Sequence, residues 1–143
     1  MRIVLGSDHG GYELKEVLKD WLKEEGYELV DVGTDSKESV DYPIYGHRVG
    51  KAVAQGEAEF GITVCGSGLG IGMAAGKVKG IRCATVTEPY SAELARRHNN
   101  ANVVSLGGRL TGVDMAKEIV KTFLNTDFEG GRHQGRIDAI ELD

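Results

Sequence analysis

Short apolar runs alternate with apolar residues at helical spacing along almost the whole chain, and that rhythm leaves few folds open. Residues 2–5 form a first strand-like run, after which Leu14, Val17, Leu18, Trp21 and Leu22 repeat at helical spacing up to Gly26. Residues 27–32 read as a second strand, and Pro43 opens a helix carrying Val49, Ala52 and Val53. Residues 60–64, 81–86 and 103–106 supply three more strands, with helical stretches at 70–79, 90–98 and 113–124. Strands alternating with helices predict an α/β fold, a mostly parallel sheet with helices on both faces. Ligands of such sheets bind at the carboxyl ends of strands, so functional groups are expected there.

The 143 residues suit one domain, 1–143, with a core that needs neither disulfides nor metals. A net charge of −5 argues against a nucleic-acid partner, which would call for a basic stripe. No apolar stretch approaches 18 residues, and Ile3-Val4-Leu5 is cut short by Ser7-Asp8-His9, so neither a membrane span nor a signal peptide is expected. Cys65 and Cys83 both lie in apolar runs, fit a reducing compartment and lack metal-ligand spacing. The expectation is a cytoplasmic protein without a metal.

The third strand ends in Cys65, directly followed by Gly66-Ser67-Gly68-Leu69-Gly70-Ile71-Gly72. That layout puts a nucleophile or base at a strand's carboxyl end, beside glycines that let backbone N–H groups approach an anion. A helix starting near Ile71 would favour negative charge beside the thiol. A buried structural cysteine at a tight turn is the competing reading. Strand 1 ends at Ser7-Asp8-His9-Gly10-Gly11, and strand 5 is followed by Gly107-Gly108-Arg109. Arg96-Arg97-His98-Asn99-Asn100 comes before strand 5, so His98 could reach a site only from the opposite edge or from a second subunit.

Each group has a plain alternative. Asp8 also reads as a cap for the helix near Tyr12, and His9 as a hydrogen-bonded turn residue. Arg132 and Arg136 share a face if the tail is helical, which suits a phosphate, but they also read as solvated charges. Arg109 after its Gly-Gly pair reads as an anion contact or a surface pair. Cys83 reads as packing, and His47 has no assigned role. Together the thiol, histidine, aspartate, amide cradle and arginines around one sheet edge fit proton transfer next to a carbonyl in a phosphorylated substrate. The sequence has no Walker-type Gly-Lys-Ser/Thr, no nucleophile elbow and no metal cluster.

Ser7-Asp8-His9-Gly10-Gly11, Ser39-Val40-Asp41-Tyr42-Pro43, Cys65-Gly66-Ser67-Gly68-Leu69-Gly70, Arg97-His98-Asn99-Asn100-Ala101-Asn102 and Gly130-Gly131-Arg132-His133 resemble the type B ribose-5-phosphate isomerases. These group with galactose- and allose-6-phosphate isomerases, and the resemblance runs from residue 1 to about 137. It implies a Rossmann-like three-layer α/β/α sandwich on a five-stranded parallel sheet, assembled as a homodimer or a tetramer with sites between subunits. It further implies Cys65 as the base of a cis-enediolate mechanism, with the amides of Gly66, Ser67, Gly68, Leu69 and Gly70 as the oxyanion cradle. His98 matches the acid that opens the furanose ring. Asp8, His9 and Asn99 match substrate contacts, and Arg109, Arg132 and Arg136 match groups holding the phosphate or its neighbourhood. Ser67 stands where many members carry threonine. Some members use a glutamate in the glycine loop as base, whereas here the loop through Ala75 has no carboxylate. The implied reaction needs no cofactor, because hydrogen moves as a proton and the electrons stay in the sugar.

Overall fold

A computed structural model describes residues 1–142. Its five strands are β1 (Arg2–Ser7), β2 (Glu28–Asp31), β3 (Phe60–Cys65), β4 (Cys83–Thr85) and β5 (Val103–Gly107). All pair in parallel, in the order β2-β1-β3-β5-β4. Among the described residues there are six α-helices: α1 (Tyr12–Glu24), α2 (Tyr42–Ala54), α3 (Leu69–Gly76), α4 (Pro89–Asn99), α5 (Val113–Leu124) and α6 (Arg132–Asp138). No helix is long and apolar enough to cross a membrane among the described residues.

The two layers of helices follow from the period-2 alternation of strand side chains. Ile3 and Leu5 of β1, Ile62 and Val64 of β3 and Val104 and Leu106 of β5 point to one face, where α1, α4 and α5 bury Leu18, Ala92, Ile119 and Phe123 against them. Val4 and Val103 point to the other face, onto Val49 and Ala52 of α2 and Ala75 of α3. The result is the three-layer sandwich with a five-stranded parallel sheet.

Two elements differ most from the sequence reading. The fourth strand covers only 83–85, because the Arg82 N–H is taken by the Asn102 side chain instead of a strand partner. The helix expected at 70–79 stops at Gly76, where short turns through Val78 and a left-handed Gly80 (φ +89) lead into β4. Helix α5 matches the expected 113–124. The tail is helical, as the Arg132/Arg136 argument requires.

The chain reverses direction of growth across the sheet between β1 and β3, since β2 lies outside β1 while β5 and β4 lie beyond β3. A crevice opens at the carboxyl ends of strands at such a point. Ser7 pairs with Val64 and Cys65 with Gly107, so the ends of β1, β3 and β5 come out side by side there.

Candidate active site

Cys65 is the last residue of β3 and is almost fully buried, with its Sγ 3.1 Å from the backbone N–H of Gly68. That N–H donates to sulfur and so stabilises negative charge on it. Gly68 makes the turn possible. Its φ of +81 is left-handed, and a Cβ there would sit 2.7 Å from the Leu106 carbonyl carbon. Its carbonyl accepts from the buried Ser105 hydroxyl at 2.6 Å and from Thr85 at 3.3 Å, which fixes the loop to β5 and β4. Ser67 Oγ accepts from the Leu69 N–H at 3.2 Å, a local turn bond just ahead of α3. Two amides of the expected cradle are therefore engaged inside the loop, that of Gly68 by the thiol and that of Leu69 by Ser67.

Around this loop lies an open cleft of about 450 Å³, lined by Asp8, Tyr42, Cys65, Gly66, Ser67, Gly70, Arg109 and Leu110. Asp8 is buried, and it caps the 3-10 turn ahead of α1 instead of α1 itself. Its Oδ1 accepts from the Gly11 N–H at 3.1 Å, capping the 3-10 turn His9–Gly11, and its carboxylate faces the cleft. His9 Nδ1 accepts from the Val40 N–H at 3.1 Å, so the neutral imidazole carries its proton on Nε2. Arg109 is held over the loop by its own N–H to the Gly66 carbonyl at 3.0 Å, after Gly108 N–H has met the Cys65 carbonyl at 2.8 Å. Its guanidinium lies 3.4 Å from where a Gly66 Cβ would stand.

Sequence reasoning passed over Tyr42 and Leu110 as site residues. The ring of Tyr42 lies against Gly70, where an added Cβ would be 2.6 Å from Cε1. The only signal for it was the Asp41-Tyr42-Pro43 run, since a residue just before a helix-opening proline is held in place.

The remaining candidates are elsewhere. His98 and Asn99 end α4, and the chain then enters β5 at Val103, which pairs with Gly61 near the start of β3. They therefore lie at the amino edge of the sheet, opposite Cys65. The first turn of α6 joins them, with the His133 ring stacked on His98 at 4.6 Å and 17°. Arg132 and Arg136 are exposed on that short helix and do not line the Cys65 cleft. One sheet edge does not hold the whole constellation, contrary to the expectation, because α4 runs back along the sheet before its strand begins. Arg96 and Arg97 also part company: Arg96 is turned inward over the Phe60 ring at 4.7 Å, with hydrogen bonds to Thr126, Asn100 and Ala101.

With these two clusters in view, the Ribose/Galactose Isomerase family profile matches residues 3–140. The chain belongs to this family. It is 48% identical over 139 residues to ribose-5-phosphate isomerase B of Escherichia coli K12, covering 97% of this chain and 93% of that one. A solved ribose-5-phosphate isomerase B from Clostridium thermocellum superposes with a TM-score of 0.97 at 52% identity, covering 98% and 95% of the two chains. Ribose-5-phosphate isomerase B of Mycoplasma genitalium, solved with bound ribulose-5-phosphate, gives 0.92 at 41% identity, over 97% and 93%. The parallel five-stranded fold is that of these isomerases.

Proposed function

We propose that this chain is an aldose–ketose isomerase interconverting D-ribose 5-phosphate and D-ribulose 5-phosphate. The observation that carries the reading is the Gly68 N–H aimed at Cys65 Sγ inside an open cleft that also presents Asp8 and Arg109. A thiolate so held takes the proton from C2 of the open-chain aldose and returns it to C1, while the hydroxyl proton passes from O2 to O1. The negative charge of the cis-enediolate between those steps faces the N-terminal turn of α3 and its amides. No electrons leave the sugar, so the chemistry asks for no redox cofactor. Cys65 must stay reduced, and both thiols are free, which suits the cytoplasm.

His98 serves in this reading as the acid that opens the furanose ring, and Arg109, Arg132 and Arg136 hold the phosphate or its surroundings. Since His98 and Cys65 sit at opposite edges, the working unit is at least a homodimer in which one subunit completes the other's cleft. Asp8, His9 and Asn99 contact the sugar.

A hexose-6-phosphate substrate is the second reading, favoured by the family's span over ribose and galactose isomerases and by the openness of the cleft. Incubation with ribose 5-phosphate, allose 6-phosphate and galactose 6-phosphate, following ketose formation, tests the choice. Turnover of ribose 5-phosphate well above either hexose is expected. A preference for a hexose moves the chain to the second reading, and phosphate binding without turnover of any sugar removes the enzyme reading.

A further inference from the structure

The amino-edge cluster contains a residue that none of the roles above uses. Glu129 precedes α6, and its Oε2 accepts from Arg97 Nε at 2.6 Å while its own N–H donates to the Arg97 carbonyl at 3.1 Å. The segment is thus tied twice to the last turn of α4. The hydrogen bond and the charge of the Arg97 guanidinium hold the Glu129 carboxyl below the usual carboxylate range, against the cost of burying it. Fixed in this way, the carboxylate reaches two imidazoles. Oε2 lies 4.0 Å from His98 Nε2, and Oε1 lies 3.6 Å from His133 Nε2.

His133 is 7% exposed, and its buried Nε2 has no hydrogen-bond partner, with the Glu129 carboxylate 3.6 Å away. Its ring stacks face to face on His98. Two rings 17° from parallel aim their lone pairs along neighbouring planes instead of at one point, so the trio is not arranged to share a metal ion. It is arranged to hold a ring in place. His98 is only partly covered, and the carboxylate that reaches its Nε2 edge is that of Glu129.

We propose that Glu129 is a positioning residue for His98: locked by Arg97, it clamps the stacked His98–His133 pair and fixes the plane in which the His98 imidazole meets substrate in a second subunit's cleft. The proposal rests on the reading of His98 as the ring-opening acid. Glu129 touches no substrate and acts only through His98.

The test uses Glu129→Ala in the full-length enzyme, alone and combined with His98→Asn. A misplaced acid lowers conversion of the mostly cyclic ribose 5-phosphate about 10–10²-fold. Exchange of the C1 hydrogen of ribulose 5-phosphate with deuterated water, followed by proton NMR, stays at the parent level, because this ketose cannot close a furanose ring. In the His98→Asn background, Glu129→Ala causes no further loss, as expected for residues acting as one unit. Conversion unchanged in Glu129→Ala, exchange falling as far as conversion, or losses that multiply in the double variant would each overturn the proposal. If Glu129→Ala does not fold, Glu129→Gln, which keeps the bulk and drops the charge, replaces it in both backgrounds. Loss of exchange in His98→Asn itself overturns the acid reading instead, and the double-variant comparison still reports whether Glu129 works through that ring.

Discussion

Two cysteines of the same chain show how local placement decides what a residue can do. Cys83 lies in β4 without a backbone donor beside it, and burial pushes its thiol up to about 12. It stays protonated and inert across the working range. Cys65 is buried too, but the turn after β3 delivers an N–H to its sulfur and an open cleft to its front. Cys65→Ala is therefore expected to fold like the parent and lose about 10²–10⁴-fold in turnover, the usual cost of removing a general base. Cys83→Ala is expected to keep the parent's turnover. Steady-state rates on ribose 5-phosphate decide both, and a Cys65→Ala enzyme with half its activity would end the thiol's role as base. Arg132 and Arg136 belong to the same scale. Exposed and four apart on α6, they are expected on alanine substitution to weaken substrate affinity and inhibition by inorganic phosphate in step. Parent-like inhibition in both would leave them as solvated charges.

Elements were more legible in the sequence than what ties them together. Helix α5 is readable to the residue because its apolar period is long and uninterrupted, while β1 runs two residues past its apolar stretch, to Ser7. Strand β4 is shorter than its apolar run because Ile81 and Val86 lie outside the strand yet are buried in the cores on either side of the sheet, and an apolar run does not tell the two apart. Lys15 could not be read at all. It sits in the buried stripe of α1 between Leu14 and Leu18, 1% exposed, where periodicity predicts an apolar residue. Its Nζ reaches both Asp31 oxygens at 3.0 and 2.8 Å and the Thr34 carbonyl at 2.9 Å, pinning the end of β2 and the loop that returns through Val40 to His9. Burial works against the Asp31 carboxylate, but the hydrogen bonds of Lys15, Lys19 and Gly33 outweigh it and hold it below the usual range. A lowered carboxyl contributes stability that is present above its unfolded value and lost as pH falls through its folded value. Melting temperature is therefore expected to drop as the pH falls below about 4, and Asp31→Asn to flatten that drop. At neutral pH, Asp31→Asn leaves a buried ammonium unpaired and is expected to cost roughly 3 kcal/mol, more than Lys15→Met, which removes the buried charge itself. Urea titration compares the two, and the reverse order would mean that the pair is not what holds this corner.

At the scale of the whole molecule, the sheet separates the two halves of the proposed chemistry. Cys65 ends β3 at the carboxyl edge, while His98 ends α4 where β5 begins, so no rotation of a side chain brings them together within one protomer. The sequence carried the hint, since His98 precedes its strand, but not the partition of the arginines, because whether a short tail helix docks beside α4 depends on the stacking of His133 and on Glu129. If each cleft takes Cys65 from one subunit and His98 from the other, two dead variants can restore each other. A dimer with one Cys65→Ala subunit and one His98→Asn subunit has one cleft with both groups intact and one with neither. Random reassociation of equal amounts makes half the dimers mixed, each with one working cleft of two, so conversion of ribose 5-phosphate should return to roughly a quarter of the parent's. Unfolding and refolding the two variants together, with each refolded alone as control, measures this directly. Should the mixture stay as inactive as its parts while light scattering shows exchanged dimers, Cys65 and His98 do not serve one cleft across the interface.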